Sequence, residues 1–321
     1  TMNSDTRIYV AGHRGLVGSA VVARLQKAGY TNLITRTSSE VDLRNQADVT
    51  RFFAEVKPDV VMLCAARVGG ILANNTYPAQ FIYDNLMIAA NMIHASYEQG
   101  AKKLVNLGSS CIYPKFATQP MSEDQLLTGP LEPTNEAYAI AKISAIKLCR
   151  YYNEQYGTDF VSAMPTNLYG PHDNFDLETS HVLPAMIRKF HEAKEARKRG
   201  EDAAVVLWGD GSPRREFLHV HDLADALVYL MEHGSYSEIG EFVNVGTGED
   251  IPIQDLAALI ARIVGYEGPV EWDSSKPNGT PRKLLDVSRL ESLGWTARTS
   301  LEDGIRDTYR WFLENETALT A

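Results

Sequence analysis

Short apolar segments alternate with helical patterns along the first half of the chain. Mostly apolar runs at 7–11, 32–35, 59–66, 103–107 and 159–165 have the length of buried strands. Buried strands that alternate with helices are typical of a parallel sheet covered on both faces. The pattern therefore predicts an α/β fold with a doubly wound parallel sheet. The longer helical patterns cover 16–28, 46–56, 78–100 and 138–156.

The second half of the chain is less regular. After Pro171, loops alternate with shorter helical patterns at 223–232 and 253–264, while 242–246 has the pattern of one more strand. We expect a Rossmann-type first domain around the sheet and a smaller α/β lobe for substrate binding. The predicted bounds are 1–175 with 217–246 for the first domain, and 176–216 with 247–321 for the lobe.

Composition and charge restrict the class of protein. The 321 residues are 44% hydrophobic and 22% charged, an ordinary globular balance, and the formal net charge is -10. An acidic chain disfavours a nucleic-acid partner, because phosphate contacts require clustered lysine and arginine. No apolar run reaches membrane-spanning length and no leader pattern precedes the first strand, so we expect no membrane partner. The three cysteines form no CxxC pair, which fits the cytoplasm and predicts no metal site.

A glycine-rich loop follows the first predicted strand. The sequence AGHRGLVG places Gly12, Gly15 and Gly18 at the start of a helix. Glycines allow a tight turn and a close approach of a pyrophosphate, whose charge the helix N-terminus stabilises. The spacing is GxxGxxG, and its position between strand and helix favours a dinucleotide site over an ordinary glycine turn. The predicted cofactor contacts in this loop are Gly12, His13, Arg14, Gly15, Leu16, Val17 and Gly18.

Two arginines indicate which dinucleotide binds. An NAD site usually places an acidic residue at the end of the second strand, where it binds the ribose hydroxyls. This chain has Arg36 near that position and Arg14 in the glycine loop. Two guanidinium groups suit a 2′-phosphate, so we predict NADP(H) rather than NAD(H). The alternative is that both arginines are solvated loop charges.

A tyrosine and a lysine lie four residues apart in the sequence EAYAIAK, near the start of a predicted helix. This spacing puts Tyr138 and Lys142 on one helix face, where we expect the ammonium to lower the pKa of the phenol. A tyrosine so placed can give a proton to a carbonyl oxygen as a hydride arrives. Ser109, at the carboxyl end of a predicted strand, can hydrogen-bond the same oxygen. Together with the glycine loop, these three residues predict a carbonyl reductase site.

These features resemble the short-chain dehydrogenase/reductase superfamily, and the chain length and the segment RREFLHVHDLADAL resemble its extended branch. A closer resemblance, to the GDP-L-fucose synthase family, rests on the segments LGSSCIYP, LEPTNEAYAIAK, PTNLYGPHDNF, SHVLPA and SKPNGTPRKLLD. It implies an NADPH-dependent enzyme that converts GDP-4-keto-6-deoxy-D-mannose into GDP-L-fucose, inverting C3 and C5 before it reduces the C4 ketone. It also implies a homodimer, with the helices at 78–100 and 138–156 in a four-helix interface.

Inversion beside a ketone needs groups beyond the reductase triad. The ketone acidifies the hydrogens on both neighbouring carbons, and inversion needs a base on one face and an acid on the other. Cys111 and His181 are the candidates, because histidine titrates near neutrality and a thiol lies within tuning range. By residue type alone, Cys111 is more often an inert small hydrophobe and His181 a structural side chain. The resemblance implies the cysteine as base and the histidine as acid, an order that residue types leave open.

The resemblance implies further contacts by position. Arg215 suits a diphosphate, since guanidinium binds phosphate oxygens in pairs. Position 278 is expected to be aspartate in the family, whereas this chain has asparagine. The predicted substrate contacts are Lys189, Trp208, Arg215 and Asn278; the alternative is a core tryptophan and surface cations. The predicted cofactor contacts on the nicotinamide side are Leu107, Gly108, Ser110, Lys142, Pro165, Thr166, Asn167, Leu168 and His181.

Two other functions stay open from the sequence. One is a different nucleotide-sugar epimerase or 4-reductase of the extended branch. The Cys111 and His181 pair argues against a simple reductase but not against another epimerase. The other is a non-catalytic NADP(H)-binding sensor on the same fold, because a fold does not fix its function. The presence of Ser109, Tyr138 and Lys142 together argues against the sensor.

Overall fold

The computed structural model describes residues 1–321 as thirteen strands and eleven α-helices. The strands are β1 (Ile8–Ala11), β2 (Leu33–Ile34), β3 (Val60–Leu63), β4 (Lys103–Leu107), β5 (Phe160–Pro165), β6 (Asn167–Tyr169), β7 (Val205–Trp208), β8 (Arg214–Arg215), β9 (Phe217–His219), β10 (Val243–Val245), β11 (Ile251–Pro252), β12 (Val270–Asp273) and β13 (Arg282–Lys283). The helices are α1 (Leu16–Lys27), α2 (Gln46–Val56), α3 (Ile71–Thr76), α4 (Pro78–Glu98), α5 (Glu136–Tyr156), α6 (Val182–Lys198), α7 (Val220–His233), α8 (Tyr236–Ile239), α9 (Ile253–Val264), α10 (Ser288–Ser292) and α11 (Leu301–Leu319).

The largest sheet has six strands in the order β10-β5-β4-β3-β1-β2, and every neighbouring pair is parallel. The chain leaves β1 for β2 on one side and then crosses to β3 on the other side. The strand order therefore reverses beside β1. Ligands of such sheets bind at the carboxyl ends of the strands next to this reversal.

Helices cover both faces of this sheet. The strands β1 and β3 are buried at all four positions, as their continuous apolar sequence predicts. On one face, α1 and α7 pack against strand side chains that include Val10, Met62 and Val105. On the opposite face, α2, α4 and α5 contribute side chains such as Phe53 and Met92. The predicted doubly wound parallel α/β sheet is therefore confirmed.

A separate core, which lies mostly within the predicted smaller lobe, forms where α6, α9 and α11 pack with β7 and β9. The apolar periodicity predicted neither α11 nor the first half of α6, although the charged run 191–202 indicates a solvated helix face. The helix α11 buries Ile305, Tyr309 and Phe312 at helical spacing, and the Ser300 side chain caps it by accepting the Asp303 N–H at 3.1 Å. The apolar spacing and the capping serine of α11 are thus visible in the sequence. In α6, charged residues fill the second half and obscure the apolar face of the helix.

A smaller core lies beneath the carboxyl edge of the sheet and joins parts of the chain that are distant in sequence. It contains Ile112, Tyr113, Ile143, Met164 and Leu285 among its buried residues. It therefore ties the turn after β4 to α5, β5 and the segment after β13. None of the helices combines the length and apolar character that a membrane crossing requires.

Candidate active site

The glycine-rich loop connects β1 to α1 and turns tightly. Gly12 has a φ of +82°, and a Cβ there would lie 2.9 Å from the backbone of Ala65. A Cβ at Gly18 would lie 1.9 Å from the Gly12 carbonyl oxygen. Gly15 is the N-cap of α1, and no side chain hydrogen-bonds there, so the first backbone N–H groups of the helix can face an anion. The loop therefore has the shape and the free donors that a pyrophosphate requires. The other predicted contacts on this turn are His13, Leu16 and Val17, which are half-buried.

Arg14 and Arg36 both lie within electrostatic reach of Glu40. The pKa of Glu40 is lowered first by hydrogen bonds from Thr37 and then by the charges of both arginines. The Arg36 guanidinium donates to the Thr35 carbonyl at 2.8 Å and lies 5.2 Å from the centre of the Phe52 ring. The two cations that the sequence assigned to a 2′-phosphate thus act on the same carboxylate.

Ser109 and Cys111 lie on one turn at the carboxyl end of β4. The Ser109 Oγ accepts the N–H of Cys111 at 3.4 Å and caps the 3-10 turn Ser110–Ile112. Burial raises the pKa of the Cys111 thiol, while the Ser109 hydrogen bond and the charges of Lys142 and Lys283 lower it. Cys111 therefore lies near two cations, which an inert core cysteine would not require.

Tyr138 and Lys142 lie on the first turns of α5, next to the same strand end. The Lys142 Nζ is 5.6 Å from the centre of the Tyr138 ring and donates to the Leu107 carbonyl at 3.3 Å. Burial lowers the pKa of Lys142 to about 8, against the opposing influence of Cys111 and Cys64. Burial also raises the pKa of Tyr138, and Cys111 raises it further. The expected lowering of the tyrosine pKa was therefore wrong, because desolvation of the phenol is the larger effect here.

His181 is the N-cap residue of α6, but its side chain makes no capping hydrogen bond. Solvent reaches the imidazole, yet the surrounding protein lowers its pKa by partial desolvation. Its segment lies beside α3, where a Cβ at Gly70 would be 3.4 Å from the Thr179 carbonyl oxygen. Lys189 is half-buried on α6, and burial lowers the pKa of its ammonium.

Arg215 forms a pair of cations with Lys283. Lys283 is not among the residues predicted from the sequence. The two residues are register partners in the parallel strands β8 and β13. Burial lowers the pKa of both side chains, and the charge of Arg215 lowers the pKa of Lys283 further. Their neighbours Arg214 and Arg282 both pair with Asp250, at 3.0 and 2.6 Å. In contrast, neither Arg215 nor Lys283 has a carboxylate within 4.0 Å, so this pair can receive an anionic ligand.

Trp208 and Asn278 lie at the edge of the smaller lobe. The Trp208 side chain is 66% exposed, and the Lys276 Nζ is 5.2 Å from its ring centre. The Asn278 Oδ1 accepts the N–H of Asp210 at 2.9 Å, and this contact fixes the loop that follows Trp208. An aspartate would offer the same acceptor oxygen, so asparagine can preserve this loop contact.

The second predicted nicotinamide-side segment follows β5. Pro165 and Thr166 are buried, Leu168 is half-buried and Asn167 is exposed. The Asn167 side-chain amide donates to the Glu216 carbonyl at 3.0 Å, which fixes the segment against the strand that carries Arg215. Close packing continues at Gly108, where a Cβ would lie 2.0 Å from the Met164 side chain.

His219, His221 and Asp307 place potential metal ligands within 4.8 Å of one another. Both ring nitrogens of His219 are already engaged, however. Its Nδ1 accepts the N–H of His221 at 3.0 Å, and its Nε2 faces Asp307 at 2.9 Å. This arrangement caps α7 and fixes the histidine tautomer, which explains the cluster without a metal.

Comparison with known proteins gives consistent results. A model of the NAD dependent epimerase/dehydratase family matches residues 8–246. GDP-L-fucose synthase 1 of Arabidopsis thaliana is 59% identical over 98% of this chain and 95% of its own length. GDP-L-fucose synthase of Escherichia coli (strain K12) is 56% identical over 98% of both chains. The chain belongs to the GDP-L-fucose synthases of this epimerase/dehydratase family. The resemblance inferred from the sequence motifs is thereby confirmed.

A solved structure extends this family relationship to the fold. The gdp-l-fucose synthetase from Naegleria fowleri bound to NADP superposes with a TM-score of 0.89 and is 31% identical, covering 100% of this chain and 98% of that one. The two proteins are thus similar in fold over the whole of this chain. The glycine loop and the Arg14–Arg36 pair described above fit the cofactor of this relative.

Proposed function

We propose that the chain converts GDP-4-keto-6-deoxy-D-mannose into GDP-L-fucose with NADPH, by epimerisation at C3 and C5 followed by reduction at C4. The observation that carries this proposal is the position of Cys111 on the same turn as Ser109, within electrostatic reach of Lys142. A simple ketone reductase needs the serine, tyrosine and lysine, but it has no use for an acid–base thiol beside them. The identities of 56% and 59% to GDP-L-fucose synthases support the same substrate.

The cofactor contacts follow from the loop geometry. The residues Gly12 to Gly18 would hold the pyrophosphate, Arg14 and Arg36 the 2′-phosphate, and the segments 107–110 and 165–168 the nicotinamide end. When bound there, NADPH supplies a hydride to C4. Lys142 at the strand end would orient the nicotinamide ribose.

Epimerisation would use Cys111 and His181 on opposite faces of the sugar. Abstraction of the proton at C3 or C5 leaves an enolate, whose oxygen Ser109 and Tyr138 would stabilise by hydrogen bonds. The charges of Lys142 and Lys283 favour the thiolate form of Cys111, and burial makes that thiolate a stronger base. His181 would return a proton from the other face, which inverts the carbon.

Reduction would use Tyr138 as the proton donor. Burial raises the pKa of this phenol, so it holds its proton at neutral pH and can give it to the C4 oxygen. Trp208, Lys189 and Asn278 would contact the nucleotide part of the substrate, and Arg215 with Lys283 would bind its diphosphate. In the cell we place this reaction in the cytoplasm, where the three free cysteines would stay reduced.

We further propose a homodimer formed through α4 and α5. These two helices pack against one another and carry a surface aromatic cluster of Tyr97, Tyr152 and Tyr156. The Tyr97 and Tyr156 rings stack at 4.1 Å, and the Tyr156 side chain is 46% exposed. A symmetric partner would cover this cluster with its own copy and form a four-helix interface.

The deciding experiment is turnover of GDP-4-keto-6-deoxy-D-mannose with NADPH in deuterated water, with NMR analysis of the product. Deuterium at C3 and C5 in a product of L-fucose configuration is the expected result. Consumption of NADPH without deuterium at these carbons would indicate a plain 4-reductase. Binding of NADPH without turnover of any GDP-sugar would indicate the sensor instead, and either result would refute the proposal.

A further inference from the structure

Glu216 is a buried carboxylate that the mechanism above does not use. It lies between Arg215 at the end of β8 and Phe217 at the start of β9, and it has no exposed surface. No lysine or arginine forms an ion pair with it. Burial of a carboxylate without a cation costs free energy unless several hydrogen-bond donors compensate for the lost water. The contacts of Glu216 therefore require an explanation.

Backbone N–H groups from two distant segments satisfy this carboxylate. Its Oε1 accepts the N–H of Leu285 at 3.0 Å. Its Oε2 accepts the N–H groups of Thr247 and Gly248 at 2.7 and 2.8 Å, and the Thr247 hydroxyl lies at 3.4 Å. These bonds connect the strand that carries Arg215 to the loop after β10 and to the segment that follows Lys283.

The backbone of Glu216 makes a third connection. Its carbonyl oxygen accepts the Asn167 side-chain amide at 3.0 Å and lies 3.4 Å from the Thr166 hydroxyl. Thr166 and Asn167 belong to the predicted nicotinamide-side segment. One residue therefore contacts three separate parts of the chain that meet at the candidate site.

The close approach of the carboxylate depends on a neighbouring glycine. A Cβ at Gly246 would lie 2.4 Å from the Glu216 Oε2, and all of the nearest atoms it would meet belong to Glu216. Glycine at position 246 thus leaves space for this carboxylate, although the backbone conformation there would allow alanine. Burial raises the pKa of Glu216, and the backbone hydrogen bonds oppose that rise.

We propose that Glu216 is a positioning residue, whose carboxylate holds Arg215 and Lys283 in register with one another, while its backbone carbonyl fixes them against the nicotinamide end of the site. The charge of Arg215 lowers the pKa of Lys283, and no carboxylate lies within 4.0 Å of either side chain, although the charge of Glu132 offsets part of the repulsion at Lys283. Without a fixed framework, the two strands would separate to relieve that repulsion. Glu216 fixes both, by sharing the backbone with Arg215 and by binding the Leu285 N–H two residues after Lys283.

This proposal rests on the proposed function, because it takes the diphosphate of a GDP-sugar as the ligand of the cation pair. The consequence is specific to that ligand. Loss of the Glu216 carboxylate should weaken GDP binding and raise KM for the GDP-sugar, with a smaller effect on kcat and on NADP⁺ binding. A merely structural role would instead weaken both ligands together.

The test uses the full chain with Glu216→Gln, which replaces one acceptor oxygen by an amide that cannot accept an N–H. We expect the Kd for GDP, measured by calorimetry, to rise by about tenfold or more, or ~1.4 kcal/mol. The Kd for NADP⁺ should change by less than about threefold. The matched control is Asp222→Asn. Asp222 is another buried carboxylate, which accepts the N–H groups of Arg298 and Thr299 at 3.1 and 2.9 Å away from the cation pair.

A double-mutant cycle tests whether Glu216 acts on GDP affinity through Lys283. In a Lys283→Met background, Glu216→Gln should change GDP affinity much less than in the wild type. Additive losses, an unchanged GDP affinity, or equal losses for GDP and NADP⁺ with a lower Tm would each overturn the proposal. If Glu216→Gln does not fold, Gly246→Ala displaces the same carboxylate, and wild-type GDP affinity in that variant would overturn it. A wild-type chain that binds no GDP would refute the proposed function itself.

Discussion

At the scale of single residues, desolvation acts on every ionisable group at the centre of the candidate site and always favours the neutral form. It lowers the pKa of Lys142 to about 8, and it raises the pKa of Cys111 and of Tyr138. The charges of Cys111 and Lys142 oppose this effect on one another, whereas the charge of Cys111 raises the pKa of Tyr138 further. The site thus holds a thiol, a phenol and an amine whose protonation states depend on one another.

Replacement of Cys111 by serine tests the acid–base role of the thiol. Cys111→Ser keeps the size and the turn but supplies a much weaker acid, so deuterium incorporation at C3 and C5 should fall by roughly 10²–10⁴. NMR of the product in deuterated water measures this loss. Cys149→Ala is the control, because Cys149 lies in the core on α5 and should leave the exchange rate within about threefold of wild type. Unchanged exchange in Cys111→Ser would exclude the thiol as base.

Lys142 predicts the pH dependence of the reduction step. Its pKa of about 8 means that the ammonium predominates below that pH and is lost as the pH rises through it. Since orientation of the cofactor and stabilisation of the C4 oxygen both favour the cation, kcat/KM for NADPH oxidation should decline above about pH 8. Lys142→Arg should move this decline to higher pH, because guanidinium keeps its proton. A pH profile that is the same for both proteins would contradict the assignment.

Sequence could predict the residue types at the site but not their environment. Ser109, Tyr138 and Lys142 are recognisable from spacing, because four residues span about one helical turn. The direction of the Tyr138 shift was wrong, because spacing reveals a neighbouring charge but not how much water burial removes. Lys283 was missed since only the β8–β13 register brings it beside Arg215.

At the scale of elements, continuous apolar strands and glycine or proline boundaries were sufficient to predict the first half of the sheet. The helices α2 and α9 have the bounds that periodicity predicts, and α5 begins two residues earlier than expected. The short helix α3, the first half of α6 and the long α11 were not predicted. Where local patterns conflict, as in the charged half of α6, packing against another element decides the structure.

The β1–α1 turn gives a prediction at this scale. In Gly18→Ala, the new Cβ would lie 1.9 Å from the Gly12 carbonyl oxygen, which should destabilise the fold by about 1–3 kcal/mol. Gly15→Ala meets only an ordinary contact at 3.5 Å and should cost less than about 1 kcal/mol. Chemical denaturation of both variants without cofactor measures the difference. Equal stability of the two would show that the turn is looser than described.

At the scale of the whole molecule, the residues of the candidate site come from two different sheets. The large sheet supplies the glycine loop, Ser109 and Cys111, while the small sheet of β8, β11 and β13 supplies Arg215 and Lys283. The core beneath the site joins the two sets through Leu285. Local patterns in the sequence were therefore sufficient to predict the residues of the proposed reductase half of the site. The proposed diphosphate half, Arg215 with Lys283, depends on the pairing of segments that are distant in sequence.

The proposed homodimer predicts how the molecule responds to a charge on its aromatic cluster. Tyr156→Lys would place two like charges in a symmetric interface, so the dimer should weaken by about tenfold or more. Sedimentation velocity at micromolar concentration measures the monomer fraction. Phe116→Lys is the matched control, because Phe116 is 80% exposed on a loop outside α4 and α5. A wild-type monomer, or a Tyr156→Lys protein as dimeric as wild type, would argue against this interface.

The position of β10 at the edge of the large sheet has a consequence for synthesis of the chain. Its residues Val243–Val245 pair with Ala163–Pro165 of β5, although they emerge from the ribosome long after them. Until then, β5 would present a row of unpaired backbone groups along a wholly buried, apolar strand. Such an edge recruits other chains. A nascent or truncated chain that ends near residue 175 should therefore depend on chaperones, and proteolytic loss of β10 should lead to aggregation rather than to a stable fragment.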